Sequence, residues 1–67
     1  PATEYVRISA DSNIESLIVF SIDGNVVYSE NLDKEETTID VTAFAKGSYI
    51  IRMISNDKVF IRRIIVR

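Results

Sequence analysis

Residues 47–66, which read GSYIIRMISNDKVFIRRIIV, decide the fold of this chain. Apolar side chains recur at every second position through much of this stretch, and a period of two is typical of β-strands. Asn56 and Asp57 separate its two halves, and a short turn of such residues joins antiparallel strands. The sequence therefore predicts two strands, 47–55 and 58–66, that form a hairpin.

The rest of the chain has the same strand-forming composition. Ile, Val and Thr together supply 22 of the 67 residues, and these β-branched side chains fit a pleated sheet better than a helix. Further strands are predicted at 4–8, 16–22, 26–30 and 37–41, with a turn at 11–13, a tight hairpin at 23–25 and a solvated loop at 33–36. All six strands begin 10 to 12 residues apart, which predicts an all-β sandwich or barrel.

Length and composition exclude several classes of protein. Sixty-seven residues make one small domain, and a hydrophobic fraction of 46% is too high for a disordered segment. The chain contains neither His nor Cys, so it has no usual general base and no reactive thiol. A first residue of Pro1 rather than Met predicts a single module, 1–67, that is a fragment or the carboxyl-terminal module of a longer protein. We expect no catalytic activity, no cofactor and no direct membrane insertion.

Two of the predicted strands are apolar on both faces. Residues 17–20 read LIVF, which suits a central strand covered on both sides or one that faces a partner. In the strand at 58–66, Arg62 shares a face with Phe60 and Ile64, whereas Arg63 shares the other face with Ile61. An edge strand explains this pattern, because its arginines reach outward and deter edge-to-edge pairing.

Charge is divided unevenly along the chain. Residues 1–45 hold nine acidic and two basic residues, a net charge of −7, and residues 46–67 hold one acidic and six basic residues, a net charge of +5; the sum is the net charge of −2. Either the two parts neutralise each other within the fold, or the basic hairpin is a docking surface for an acidic partner.

Three motifs, in order, carry a resemblance to a known family. They are IDGNVVY at 22–28, IDV at 39–41 and FAKGSYIIR at 44–52. With a Pro-Ala-Thr opening at 1–3 and a basic strand ending at Arg67, the chain resembles the C-terminal sorting domain of the type IX (Por) secretion system. Phe44 stands where that family usually has Leu, and the Asn that usually precedes the opening Pro is missing.

The resemblance implies a transport signal of the kind found in Bacteroidetes. Such a domain is expected to be a small antiparallel immunoglobulin-like β-sandwich of about six to seven strands. It would pass through the periplasm with its N-terminal cargo domain, cross the outer membrane by the type IX translocon, and be cleaved by surface sortase proteins. The cargo would reach the outer membrane surface or be secreted. A missing upstream strand would leave one sheet edge open, which predicts a strand-exchanged homodimer of the isolated domain.

Five residues are candidates for recognition by the translocon: Gly47, Tyr49, Arg62, Arg63 and Arg67. Each has a simpler explanation. Gly47 would supply a positive φ at a turn, Tyr49 would be a core residue with its hydroxyl at the rim, and the arginines would be solvated edge charges.

Other functions have weaker support in the sequence. Asp33, Glu35, Glu36 and Asp40 lack the ligand spacing of an EF-hand, so we predict no metal site. A pI of about 4.9 and few stacking aromatics oppose nucleic-acid binding. The absence of Trp opposes a carbohydrate-binding module. A non-catalytic immunoglobulin-like spacer or adhesion module is the main alternative to a sorting domain.

Overall fold

The chain folds into one antiparallel sheet, which confirms the predicted all-β class. A computed structural model describes residues 4–67. Its four strands are β1 Tyr5–Ser21, β2 Val26–Asp40, β3 Gly47–Ser55 and β4 Lys58–Val66. They lie in the order β2-β1-β3-β4, so that β1 and β3 are central and β2 and β4 form the two edges.

The hairpin of β3 and β4 is regular, and both strands have the predicted bounds. Nine residue pairs run without a register shift from Gly47 opposite Val66 to Ser55 opposite Lys58. Asn56 and Asp57 join the strands with φ values of 51° and 61°. Positive φ at both positions is characteristic of a type I′ turn, whose twist matches that of the flanking strands.

The tight hairpin predicted at 23–25 joins β1 to β2. The Ser21 N–H donates to the Asn25 carbonyl at 2.8 Å, and the Gly24 N–H donates to the Ser21 carbonyl at 2.9 Å. Gly24 has a φ of 91°, which a residue with a side chain adopts only at a cost in energy. The Ser21 hydroxyl and the Asp23 carboxylate also form a hydrogen bond across this turn.

The count of six to seven strands is wrong, because the four shorter predicted strands are the halves of β1 and β2. The turn predicted at 11–13 and the loop predicted at 33–36 are extended backbone inside these long strands. Register shifts between Ser9 and Ile14, and between Ile14 and Ser16, accommodate the polar residues there. Irregularities of this kind bend a strand without ending it.

The bend encloses the core between the two hairpins. Residues Tyr5–Ser9 pair only with β2, whereas β1 from Ile14 onward also pairs with β3. Ile8 and Ile39 from the bent part nevertheless belong to one buried cluster with Ile51 and Met53 of β3. The first half of β1 and the second half of β2 therefore cover one face of the β3–β4 hairpin.

Residues 4–67 do not cover the opposite face of the sheet. Leu17 and Val19 are fully buried on the core side, while Ile18 and Phe20 on the other side are only half-buried. We call this second side the outer face; on β1, β3 and β4 its positions are Ser16, Ile18, Phe20, Ser48, Ile50, Arg52, Ile54, Val59, Ile61, Arg63 and Ile65.

Candidate functional site

Gly47 lies at the exposed start of β3. Its φ is 148°, and a Cβ added there would meet no atom within 4 Å. Backbone conformation, rather than close packing within the chain, therefore explains the glycine.

Tyr49 lies in the core rather than on the surface. Its side chain is 6% exposed, its hydroxyl donates to the Ala45 carbonyl at 2.6 Å, and its ring centre is 5.2 Å from that of Phe44. These contacts fasten the connection between β2 and β3 onto the sheet. Tyr49 therefore stabilises the start of β3, where Gly47 lies, from the core side of the sheet.

Arg62 and Arg63 point to opposite sides of β4, as the strand pattern requires. Arg62 lies opposite Ile51 on the core side of this edge, and its guanidinium is 6.0 Å from the ring centre of Phe60. On the outer face, Arg63 donates to the Ser48 hydroxyl at 3.2 Å. Both side chains are exposed, and neither forms an ion pair with a carboxylate of residues 4–67.

Arg67 directly follows β4, at the end of the sheet where Val66 pairs with Gly47. It lines a shallow depression together with Lys46 and Phe44. Of the five candidate residues, the fold brings Gly47 and Arg67 to one end of the β3–β4 hairpin. It places Arg62 and Arg63 near the middle of β4, on opposite faces, and Tyr49 inside.

The acidic and basic parts of the chain form opposite edges of the sheet. The basic edge, defined by Lys58, Arg62 and Arg63 on β4, is separated from acidic β2 by the two central strands. The ion pair found in the described part of the chain joins Arg7 to Glu36 at 2.8 Å, within the acidic half. Among residues 4–67, no ion pair joins a cation of the basic edge to a carboxylate.

Several carboxylates of β2 have local partners. Asp33 accepts a hydrogen bond from the Asn13 amide at 2.7 Å, and this contact joins β1 to β2 where both are irregular. The side chain and backbone of Thr42 lower the pKa of Asp40. Across residues 4–67, no group of three or more potential ligands is gathered as a metal ion would require.

An open groove of about 610 Å³ separates the first half of β1 from the β3–β4 hairpin. Apolar side chains including Met53, Phe60 and Ile64 line it, together with the charged residues Arg7, Asp11, Lys58 and Arg62. The sequence did not predict this groove, because it depends on how far β1 bends. The alternation in β4 did indicate that each arginine would lie among apolar neighbours.

The comparison with family models gives a match over the entire chain. Residues 1–67 match the family described as the secretion system C-terminal sorting domain. This chain belongs to that family. The sorting domain is thus a C-terminal signal for type IX secretion, as the resemblance implied, and the spacer alternative is not favoured. Comparisons with curated proteins and with solved structures found no match.

Family membership also fixes the general route of transport. A type IX sorting signal implies a cargo protein that interacts with the type IX machinery and is exported through the outer membrane to the surface or beyond. No helix among residues 4–67 is long and apolar enough to span a membrane. The Pro-Ala-Thr opening at 1–3, which contributed to the resemblance, lies outside the described residues.

Proposed function

We propose that the type IX translocon recognises this sorting domain at its basic edge. The observation that carries the proposal is that β4 is an edge strand whose arginines lack carboxylate partners among residues 4–67. An edge strand offers unpaired backbone groups to an added strand, and its charges select an acidic partner. Arg62, Arg63 and Arg67 would make the contacts, while Gly47 and Tyr49 would hold the hairpin in shape.

The domain itself is non-catalytic in this proposal. It travels through the periplasm attached to an N-terminal cargo domain, directs that cargo to the outer-membrane translocon, and is then removed by surface sortase proteins. The cargo supplies any enzymatic activity. Catalysis by a separate cargo is consistent with a small module whose polar side chains lie in turns, between paired strands and along the basic edge.

We propose an immunoglobulin-like sandwich as the architecture of the domain. In such sandwiches a tyrosine near the start of a strand donates its hydroxyl to a backbone carbonyl a few residues upstream, where the chain crosses between layers. Tyr49 makes this kind of contact with Ala45, after the chain leaves β2. The open groove beside β4 is where a further strand could complete the second layer.

The two unpaired edges also support the proposed strand-exchanged homodimer of the isolated domain. β2 and β4 each pair with only one neighbour, and they carry opposite charge. A free edge of one copy accepts a strand of another, as strand exchange requires. Sedimentation at several protein concentrations tests this, because a dimer dissociates on dilution.

A secretion assay tests the proposed function. A reporter with a signal peptide is fused ahead of residues 1–67 in a host with a type IX system, beside a fusion that lacks Phe60–Arg67. We expect surface reporter from the full fusion and periplasmic reporter from the shortened one. Equal export of both would contradict recognition at β4.

Loss of Phe60–Arg67 also removes core contacts, so a second variant separates recognition from folding. Arg62→Gln, Arg63→Gln and Arg67→Gln together remove charge from exposed positions and leave the core intact. We expect this variant to remain protease-resistant in the periplasm and to be exported less. Normal export of the triple variant would overturn the role of these arginines.

A further inference from the structure

The outer face of the sheet is apolar and exposed at three positions of one strand. Val59, Ile61 and Ile65 are 58%, 59% and 55% exposed, and they alternate along β4 on the side opposite the core. Apolar side chains scattered singly on a surface need no explanation, but a contiguous apolar patch marks an interaction site. These three residues are continuous with half-buried Ile18 and Ile50 on the neighbouring strands.

The pattern of β1 indicates that this face is built to be covered. Residues 17–20 are apolar on both sides, and β1 is a central strand. Strands that are apolar on both sides occur where layers pack on both faces of a sheet. Within residues 4–67, a layer covers the core side only, and that layer is the bent part of β1 and β2.

The charges of the outer face define what can cover it. Arg52 lies opposite Ile61, and Arg63 lies opposite Ile50, so that the two arginines are diagonal neighbours on β3 and β4. The paired positions of this face on β1, β3 and β4 carry no carboxylate, and Glu15 is exposed at the register shift between Ile14 and Ser16. Arg52 is instead held 5.5 Å from the ring centre of Phe20, with its charge unmatched by an anion.

A second copy of the chain is a poor occupant for this face. Two copies related by a two-fold axis would bring four arginines and no carboxylate into one apolar interface, and charges buried without a partner are costly. A surface that combines apolar side chains with carboxylates would instead neutralise the arginines while it covers the isoleucines.

We propose that the outer face is a docking site for a partner protein whose contact surface is apolar and carries at least one carboxylate that pairs with Arg52 and Arg63. The site shares Arg63 with the basic edge, but it uses the face of the sheet and Arg52 of β3 rather than the free backbone of β4. The inference rests on the proposed function only in that the partner is sought among proteins of a type IX host.

Site-specific photocrosslinking in that host tests the proposal. A photoreactive phenylalanine analogue replaces Ile61 in the reporter fusion, and a matched fusion carries it at Tyr5, which is 63% exposed on the other layer. We expect a discrete protein adduct from position 61 and none of the same mass from position 5. An adduct with a second copy, an adduct with lipid, or no adduct at position 61 would overturn the proposal.

Charge and shape variants then separate a specific site from a chance contact. Arg52→Glu should reduce the adduct by about tenfold or more, because it places a carboxylate where the partner's carboxylate must lie. Ile50→Thr and Ile65→Thr retain β-branching and should weaken the adduct in the same way, whereas Tyr5→Thr should leave it unchanged. An adduct that persists in both kinds of variant would overturn the proposal.

Once the adduct is identified, a charge swap between the two proteins tests the pairing directly. A crosslinked peptide that carries a carboxylate names the partner residue, and its replacement by Lys should restore binding to the Arg52→Glu fusion. Failure of that exchange would contradict the proposed pairing. Export of the unmodified fusion is measured in parallel. Failure of that export would contradict the proposed sorting function. A fusion that is exported but gives no adduct would contradict only the docking site on the outer face.

Discussion

The β3–β4 hairpin and the β1–β2 hairpin are built from similar residues but differ in regularity. The first has nine pairs in continuous register and a two-residue turn. The second has longer strands, three register shifts and a turn that depends on Gly24. The first is basic and presents an open edge, whereas the second is acidic and bends over the first to enclose the core.

The difference teaches how a chain of this size obtains two layers from one sheet. A hairpin in continuous register does not fold back on itself, so it can cover only one side of a core. Bulges in the longer hairpin redirect its strands, so that Ile8 and Ile39 meet Ile51 and Met53 face to face. The regular hairpin is thus the platform that presents recognition residues, and the irregular hairpin supports it.

The largest expected effect comes from the contact between the hairpins. Ile51 is 1% exposed and Ile61 on the neighbouring strand is 59% exposed. Ile51→Ala should lower the free energy of unfolding by about 2 to 5 kcal/mol, since it leaves a cavity between the layers. Ile61→Ala is the matched control and should change it far less. Urea unfolding followed by circular dichroism measures both, and equal losses would contradict the two-layer core.

The two turns should respond in opposite directions to substitution. Gly24→Ala should destabilise the domain by about 1 to 2 kcal/mol, because a side chain at positive φ is strained. Asp57→Gly should stabilise it by less than about 1 kcal/mol, since Asp57 already adopts a positive φ that glycine prefers. Thermal unfolding of both variants tests this, and a stabilising Gly24→Ala would show that the turn is not as described.

The connection between the hairpins depends on one hydroxyl. Tyr49→Phe keeps the ring against Phe44 but removes the hydrogen bond to the Ala45 carbonyl, at an expected cost of about 0.5 to 1.5 kcal/mol. Hydrogen exchange should accelerate in residues 41–46 more than in β4. A uniform acceleration, or none, would contradict the fastening role of Tyr49.

The smallest effect is a pH dependence at the end of β2. Hydrogen bonding from Thr42 lowers the pKa of Asp40, so this carboxylate contributes stability above its unfolded pKa of about 3.9 and the contribution is lost as the pH falls through the folded value. Asp40→Asn should lose stability less steeply on acidification than the parent chain. Parallel acid titrations of the two would count against this contribution.

The same contrast explains what the sequence could predict. The bounds of β3 and β4 follow from alternation and from Asn56-Asp57, because this hairpin is local and regular. The bends of β1 and β2 depend on contacts between residues far apart in the sequence, such as the hydrogen bond between Asn13 and Asp33. In the sequence alone, the polar residues at these bends therefore look like ordinary turns. The charged edge was visible as a charge asymmetry, whereas the groove and the outer face needed the strand order.

An export assay with matched charge reversals tests the central claim, that the basic edge carries recognition and the acidic hairpin supports it. One reporter fusion carries Arg62→Glu and Arg63→Glu on β4, and the other carries Glu35→Lys and Glu36→Lys on β2. All four residues are exposed, and Glu36→Lys also breaks the ion pair with Arg7, so protease resistance of the periplasmic form checks that both fusions stay folded. We predict that the fusion with the β4 reversal stays in the periplasm, whereas the fusion with the β2 reversal is exported. Export of the β4 reversal at the level of the unmodified fusion would contradict the account.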